Sequence, residues 1–565
     1  MVEKKKVPAE RKADSPRRNT PQAAEPPTAL PVEKRVKKTR ATPATQPAKA
    51  AKPRPPAAPR KGITAAARPA PRARPKTTAR SPVKRKKLSI LMVASEAHSF
   101  AHSGGLAEVI GSLPLALARL GHTVTIVVPR YRGVETGAAA GDPLTLHFGV
   151  RSQDVTLYKR PLAPGVLAVL VDAPALYDRG GLYGDGAQEY GDNAWRFAVL
   201  SRAALEYARR SGERPSVIHA HDWQAGLVPV FQKMLFSSDP VIGGVPVVFT
   251  IHNLAFQGVF PADTAGVLGL PPDVLDVDAM EFWGQISYMK AGVNFSERIT
   301  TVSPTYAREI LQPEFAFGFE GVLARRQADL VGILNGIDVE RWNPAADALV
   351  PAAFSADDLS GKAQAKRSLL EAAGLPAEEA DLARPVIGMI SRLTDQKGLD
   401  LVAAAVDPLL ALDATWVLLG SGEAHYEALL RDMAGRHPER VSATIGFDER
   451  LAHLIEAGAD IFLMPSRYEP CGLNQLYSLR YGTVPVVRAT GGLADTVRDA
   501  VEHGEAGTGF TFRDIHPSAM LTALERALDT FRNPSRWKQI QQAGMRDDHS
   551  WDASAREYVK VYGQA

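Results

Sequence analysis

Short apolar runs, separated by glycine-rich turns and helical repeats, begin at Leu88 and continue almost to the C-terminus. Residues 88–94 read as a buried strand. Ser103-Gly104-Gly105 follows it, a helical pattern covers residues 106–120, Gly121 ends that pattern, and 123–128 is the next apolar run. Strand, glycine turn, helix and strand make one βαβ unit of a parallel sheet. Further β-branched runs recur at 216–218, 245–251 and 298–302. A second series, 385–390, 415–419, 441–445, 460–464 and 483–487, follows a stretch with no such runs. The pattern predicts an α/β chain of two Rossmann-like domains facing a cleft, at 88–335 and 385–545, with a linker region at 336–384. In such folds ligands bind beyond the carboxyl ends of the strands, so chemistry is to be sought just after each one.

Residues 1–87 break the pattern. They carry 26 Lys and Arg against 5 Asp and Glu, 16 of the 42 prolines, and no Phe, Trp or Tyr. Such a segment cannot bury enough apolar surface to offset its ordering entropy, which predicts a disordered basic Ala/Pro-rich tail. Its net charge is +21, whereas the remaining chain is −16. The sequence pI of about 9.0 therefore belongs to the tail. The clustered cations suit contact with a polyanion, and a solubilising extension or a transit peptide has the same composition. The tail lacks the apolar core of a secretory signal, and no run of 18 apolar residues predicts a membrane span. The single cysteine, Cys471, forms no internal disulfide and fits a reducing, cytoplasmic setting.

Several groups after the strands suit chemistry on a phosphorylated sugar. Gly104-Gly105 and Thr490-Gly491-Gly492-Leu493 are glycine turns before helices, which can meet phosphate with backbone N–H groups. Each is also what an ordinary strand-to-helix turn looks like. Arg392 and Lys397 lie directly after an apolar run, where two cations can stabilise a departing diphosphate or simply be solvated. Glu469, between a strand and a helix, suits a developing oxocarbenium ion or sugar hydroxyls, and equally suits a helix dipole. Cys471 beside it reads as a small packed residue. His219-Ala220-His221-Asp222 has too few partners by spacing for a metal site, so His221 reads as a hydrogen-bonding group at a sugar. His252 and Asn253 follow another strand and suit the same cleft. Asp276 and Asp278 have the spacing of a chelating pair but sit in a Pro/Asp-rich loop.

Eight ordered stretches together resemble the bacterial glycogen synthase and plant starch synthase family. They start at Gly104, Ala175, His219, Val302, Leu334, Ser391, Ser466 and Thr490, and the resemblance spans roughly 88–565. It implies a GT-B glycosyltransferase that moves glucose from ADP-glucose to the nonreducing end of an α-1,4-glucan, with retention and without a metal or cofactor. It implies an acceptor-side N-terminal domain, a nucleotide-sugar-binding C-terminal domain, and a helix at 546–565 crossing back to the first. By the same resemblance Arg392 and Lys397 stabilise the leaving diphosphate, Glu469 serves the reacting glucose, and His221 contacts the sugar. Gly104, Gly105, Thr490, Gly491, Gly492 and Leu493 hold phosphate and sugar, and Tyr177 and Phe447 lie near the nucleotide.

One position departs from the family pattern. His102 stands where a Lys usually precedes the first glycine pair by two residues. An ordinary imidazole is mostly neutral at pH 7, which implies weaker donor binding or altered donor choice. The alternatives are therefore a synthase using UDP-glucose or a small acceptor, a catalytically weakened glucan-binding protein, and a nucleic-acid-associated protein acting through its tail.

Overall fold

The structure is a computed structural model and describes residues 87–186 and 188–565. The expectations for the tail lie outside these residues, apart from Lys87.

The apolar runs become two sheets. In the N-terminal sheet, Ser89–Val93 is central and pairs in parallel with Thr123–Pro129 on one side and Val217–His221 on the other. Val247–Ile251, Arg298–Thr301 and Leu330–Gly332 extend it in parallel beyond Val217–His221. Beyond Thr123–Pro129 lies Val166–Asp172, also parallel. The sheet then turns antiparallel through the long strand Arg151–Ala163, which also pairs with Leu144–Phe148 and Ala138–Ala139. This hairpin region has one solvated face, and the Leu144–Phe148 strand alternates buried and exposed positions accordingly.

The C-terminal sheet has six parallel strands among the described residues. Their order is Val441–Ile445, Thr415–Gly422, Val386–Leu393, Ile461–Met464, Val484–Arg488 and Phe510–Phe512. The first strand in sequence lies mid-sheet, so the order reverses beside it and opens a crevice at its carboxyl end. Lys397 and Glu469 come from the loops on either side of that switch point.

The stretch 336–384 is bound to the C-terminal half. Trp342 stacks between His453 and Tyr477, at 4.0 and 3.8 Å between ring centroids. The helix Ser360–Ala372 sends Lys366 to Asp460 at 2.6 Å. A sequence poor in strand-like runs looks like a linker, yet its aromatic and amphipathic residues have a surface to cover.

The last helix, Trp551–Tyr562, packs on Gly105–Arg119 and buries Trp551, Ala555, Tyr558 and Tyr562 in the N-terminal core. The chain crosses at two adjacent places, where Ile337 N donates to His549 O at 2.8 Å. Each domain thus keeps its own core while the two are tied by a double strand. Among the described residues no helix is long and apolar enough to cross a membrane.

Candidate active site

Two loops meet at the switch point of the C-terminal sheet. Strand Val386–Leu393 runs into a single turn, Asp395–Lys397, and Lys397 Nζ donates to Glu469 Oε2 at 2.6 Å. Ser466 Oγ donates to the same oxygen at 3.0 Å. Arg467 N donates to Gln396 O at 2.9 Å and locks the two loops together. Arg392 is exposed beside them, and its guanidinium donates to Gln396 Oε1 at 3.1 Å. Arg392, Lys397 and Glu469 therefore converge, with Glu469 buried and Arg392 open to solvent. Lysine has three N–H donors, so one held by Glu469 leaves two for an incoming oxygen.

His221 comes from the opposite domain, at the carboxyl end of Val217–His221. It is fully buried, and its Nδ1 lies 3.0 Å from His252 Nε2. Burial holds this imidazole well below its usual range, and the neighbouring rings of His219 and His252 push the same way. It is a neutral group, and its Nε2 has no hydrogen-bonding partner among the described residues. His219 is spent on structure: its ring nitrogens meet the Tyr562 hydroxyl at 2.8 Å and the Thr250 hydroxyl at 2.6 Å. Asp222, next in the chain, has a left-handed backbone with φ of 56°. Its carboxyl accepts from His252 N at 2.7 Å. Burial raises it to about 7, against backbone hydrogen bonds that lower it.

The Glu469 loop reaches the N-terminal domain. Cys471 packs within the N-terminal core, and burial pushes its thiol up to about 12. That agrees with a packed residue rather than a nucleophile. Tyr468, which precedes Glu469, sets its ring 5.4 Å from that of Phe317 across the domains.

The first glycine turn is open. Gly104 and Gly105 are exposed at the start of the helix Gly105–Arg119, which has no side-chain cap. Glu96 supports the turn from beneath, accepting from Ser103 N at 2.5 Å, from Ser103 Oγ at 2.8 Å and from the Tyr183 hydroxyl. The first N–H groups of a helix have no intrahelical partner, so these point outward for an anion. His102 is exposed, with its ring centroid 5.6 Å from that of His98.

The second glycine turn does a different job. Thr490 Oγ1 and Gly491 N both donate to Glu309 at 3.0 Å. Glu309 closes the Pro304–Glu309 helix of the other domain. In return Asp495, on the Gly491–Thr496 helix, accepts from Ser303 Oγ at 2.5 Å, Thr305 N at 2.9 Å and Thr305 Oγ1 at 2.6 Å. Each helix start is thus capped by a carboxylate from the facing domain. The donors expected for phosphate at Thr490 and Gly491 are taken by Glu309 in this conformation. Gly492 N donates to Glu469 O and Pro470 O at 3.2 Å each. A Cβ on Gly491 would overlap the Glu469 carbonyl, and one on Gly492 the Cys471 carbonyl. The glycine pair therefore serves close backbone approach beneath Glu469. Leu493 is a buried core residue.

The two expected aromatics differ in setting. Tyr177 is fully buried, and its hydroxyl donates to Arg196 O at 2.6 Å, so it packs within the core instead of facing a nucleotide. Phe447 follows the edge strand Val441–Ile445 and is 82% exposed, so its ring is free in solvent. Asp276 and Asp278 lie in a loop, where Asp278 N donates to Asp276 Oδ1 at 2.7 Å. The parts played by Glu309, Asp495 and Glu96 were not visible in the sequence, because Glu309 and Asp495 meet partners about 180 or more residues away and Glu96 meets Tyr183, 87 residues away.

Two sheets built on parallel strands, each offering strand-end loops to a common crevice, with cations and a carboxylate on one side and a neutral histidine on the other, define a GT-B glycosyltransferase. Residues 89–325 match the starch synthase catalytic domain family, and residues 376–543 match glycosyl transferases group 1. A glycogen synthase of Anaeromyxobacter dehalogenans (strain 2CP-1) is 51% identical over 84% of this chain and 98% of its own length. One of Myxococcus xanthus is 47% identical over 84% and 99%. The catalytic domain of starch synthase IV from Arabidopsis thaliana, solved with ADP and acarbose, superimposes with a TM-score of 0.78. It is 32% identical, covering 85% of this chain and 99% of that one. The chain belongs to the bacterial glycogen synthase and plant starch synthase family.

Proposed function

We propose that the enzyme transfers glucose from ADP-glucose to the nonreducing end of an α-1,4-glucan with retention of configuration. The observation that carries this reading is the Lys397–Glu469 pair at 2.6 Å, with Arg392 at the end of the strand that leads into the Lys397 turn. In the reaction the bond between glucose C1 and the diphosphate oxygen breaks, the acceptor hydroxyl forms the new bond to C1 on the face the diphosphate leaves, and its proton passes to the departing diphosphate oxygen. Negative charge grows on the diphosphate, where Arg392 and the remaining donors of Lys397 stabilise it. Positive charge grows at C1, where the Glu469 carboxylate opposes it. His221, neutral and with Nε2 unspent, hydrogen-bonds the transferred sugar. Gly104 and Gly105 meet the phosphate from the other domain. The reaction as proposed uses no metal or prosthetic group. The same reading makes the enzyme cytoplasmic, in the compartment that supplies nucleotide sugars, with the basic tail free to contact a polyanion.

The test is a labelled-glucose transfer assay on the full chain, with ADP-glucose and UDP-glucose as donors and glycogen as acceptor. Incorporation preferring ADP-glucose is expected. Equal rates would remove the donor assignment, and no incorporation from either would remove the transferase reading for this chain.

A further inference from the structure

An aromatic surface continues outward from the reaction centre. Trp283 sits at the tip of a hairpin between Glu281–Phe282 and Gln285–Ser287, and its side chain is 80% exposed. Phe317 follows the short Pro313–Ala316 helix and is 41% exposed. Both have left-handed backbones, with φ of 53° and 50°. Asp222 is the third non-glycine residue with positive φ among those described. Turns of this kind favour glycine or asparagine, yet here the chain keeps large rings on them, turned to water. Strain of this sort gathers at ligand sites.

The two rings belong to one surface. A Cβ built on Gly318 would lie 3.6 Å from Trp283 Nε1, which places the indole against the turn that carries Phe317. Gln257 Nε2 donates to Phe317 O at 2.9 Å and fixes that turn to the loop after His252. Phe317 in turn meets Tyr468, the neighbour of Glu469, at 5.4 Å between ring centroids. Phe282 anchors the hairpin by packing on buried Phe319 at 4.7 Å. Rings thus run from Glu469 through Tyr468 and Phe317 to Trp283.

We infer that Trp283 and Phe317 form a platform for the glucan chain behind its reacting end. This rests on the transferase reading above and extends it from the reacting end to the body of the acceptor. A glucan is uncharged, and its pyranose rings present C–H faces that aromatic side chains remove from water. A chain whose end is at Glu469 leaves the crevice past Tyr468, and these rings continue that path. The charges nearby fit a neutral occupant. Glu281 lies on the hairpin and, with Asp276 and Asp278, faces Lys290, whose ammonium is engaged by the Val277 and Glu281 carbonyls. The neighbouring cation Arg325 is paired with Asp278, so three carboxylates meet two cations that are already held. A nucleic acid or other polyanion would meet repulsion there.

The test compares the full-length protein with Trp283→Asn and Phe317→Gly, substitutions that tolerate a left-handed backbone while removing the ring. Initial rates are measured with glycogen and with maltotriose as acceptors, and thermal unfolding is followed alongside. The ratio of kcat/KM for glycogen to that for maltotriose should fall ~10-fold in Trp283→Asn, and further in the double variant. An unchanged ratio in folded variants would overturn the platform, as would equal losses on both acceptors. A dimer in light scattering that Trp283→Asn dissociates would make a second copy the occupant and overturn it too. Wild-type protein that transfers glucose to neither acceptor would instead sink the transferase reading itself.

Discussion

Lys397 and Glu469 share one short hydrogen bond, and each is the other's nearest countercharge. Removing Lys397 leaves a buried carboxylate without its cation and withdraws positive charge from the leaving group. Lys397→Ala or Glu469→Ala should lower kcat by at least ~100-fold, about 2.7 kcal/mol of transition-state stabilisation. Near-normal turnover in either, read from initial rates at saturating donor, would exclude that residue from the mechanism. At His102 the expectation is the reverse: His102→Lys adds a fixed cation beside the open Gly104-Gly105 turn and should lower the KM for the donor. An unchanged or higher KM would mean that the position does not face phosphate. That Lys397 and Glu469 lie where the fold puts ligands was legible in the sequence because both follow strands, whereas Glu96, Glu309 and Asp495 gave no such signal. The setting of Tyr177 was not legible, since a tyrosine after a strand looks alike whether its ring faces a nucleotide or its hydroxyl meets a backbone carbonyl.

At the scale of elements, the helix pair Pro304–Glu309 and Gly491–Thr496 joins the two domains through reciprocal carboxylate caps. Its geometry extends to the reaction centre, because Gly492 N holds the Glu469 carbonyl. Glu309→Ala should therefore lower kcat by about 10-fold while moving donor KM less, since a loosened loop misplaces a catalytic group. Glu309→Gln, whose amide oxygen still accepts from Gly491 N, should recover part of the loss. Equal kcat in wild type and Glu309→Ala would show that the cap is structural only. The clasp was invisible in the sequence: each half reads as an ordinary helix end, and only the fold brings the halves together. The parallel strands were legible as apolar runs, whereas the antiparallel Arg151–Ala163 was not, because only Val155 and Leu157 along it are buried.

The buried histidines at the strand ends set a pH dependence at the same scale. His219 and His252 titrate at about 3 in the fold, through burial, against 6.5 when unfolded. A depressed histidine contributes stability above its unfolded value, and that stability is lost as pH falls from 6.5 toward the folded value. His221 acts in the same direction. Asp222 opposes them: its raised carboxyl regains stability as pH falls below about 7. Burial also raises Glu456 to about 8, which acts with Asp222, and lowers His549 and Lys362, which act with the histidines. Five depressed bases outweigh two raised acids, so the thermal midpoint should drop when the pH is lowered from about 7.5 to about 5.5. A midpoint that holds or rises on scanning calorimetry would show that these rings are not buried neutral.

The whole molecule divides by charge as well as by fold. The body is −16 and the tail +21, so the tail neutralises more than the body's own excess. The groups proposed for the chemistry, the cores of both domains and the crossing helix all lie within 88–565, so transfer should not depend on the tail. Deleting residues 1–87 should leave kcat with glycogen within about twofold, because no group proposed for the chemistry is removed. The same deletion should abolish retention on a heparin column. The full chain should bind and elute with rising salt, as contacts between clustered cations and a polyanion do when counterions compete. Retention of the shortened protein would move the polyanion contact onto the acidic body, against its net charge. Loss of transfer on deletion would mean that the tail takes part in acceptor capture, and the separation of function between the two parts would fail.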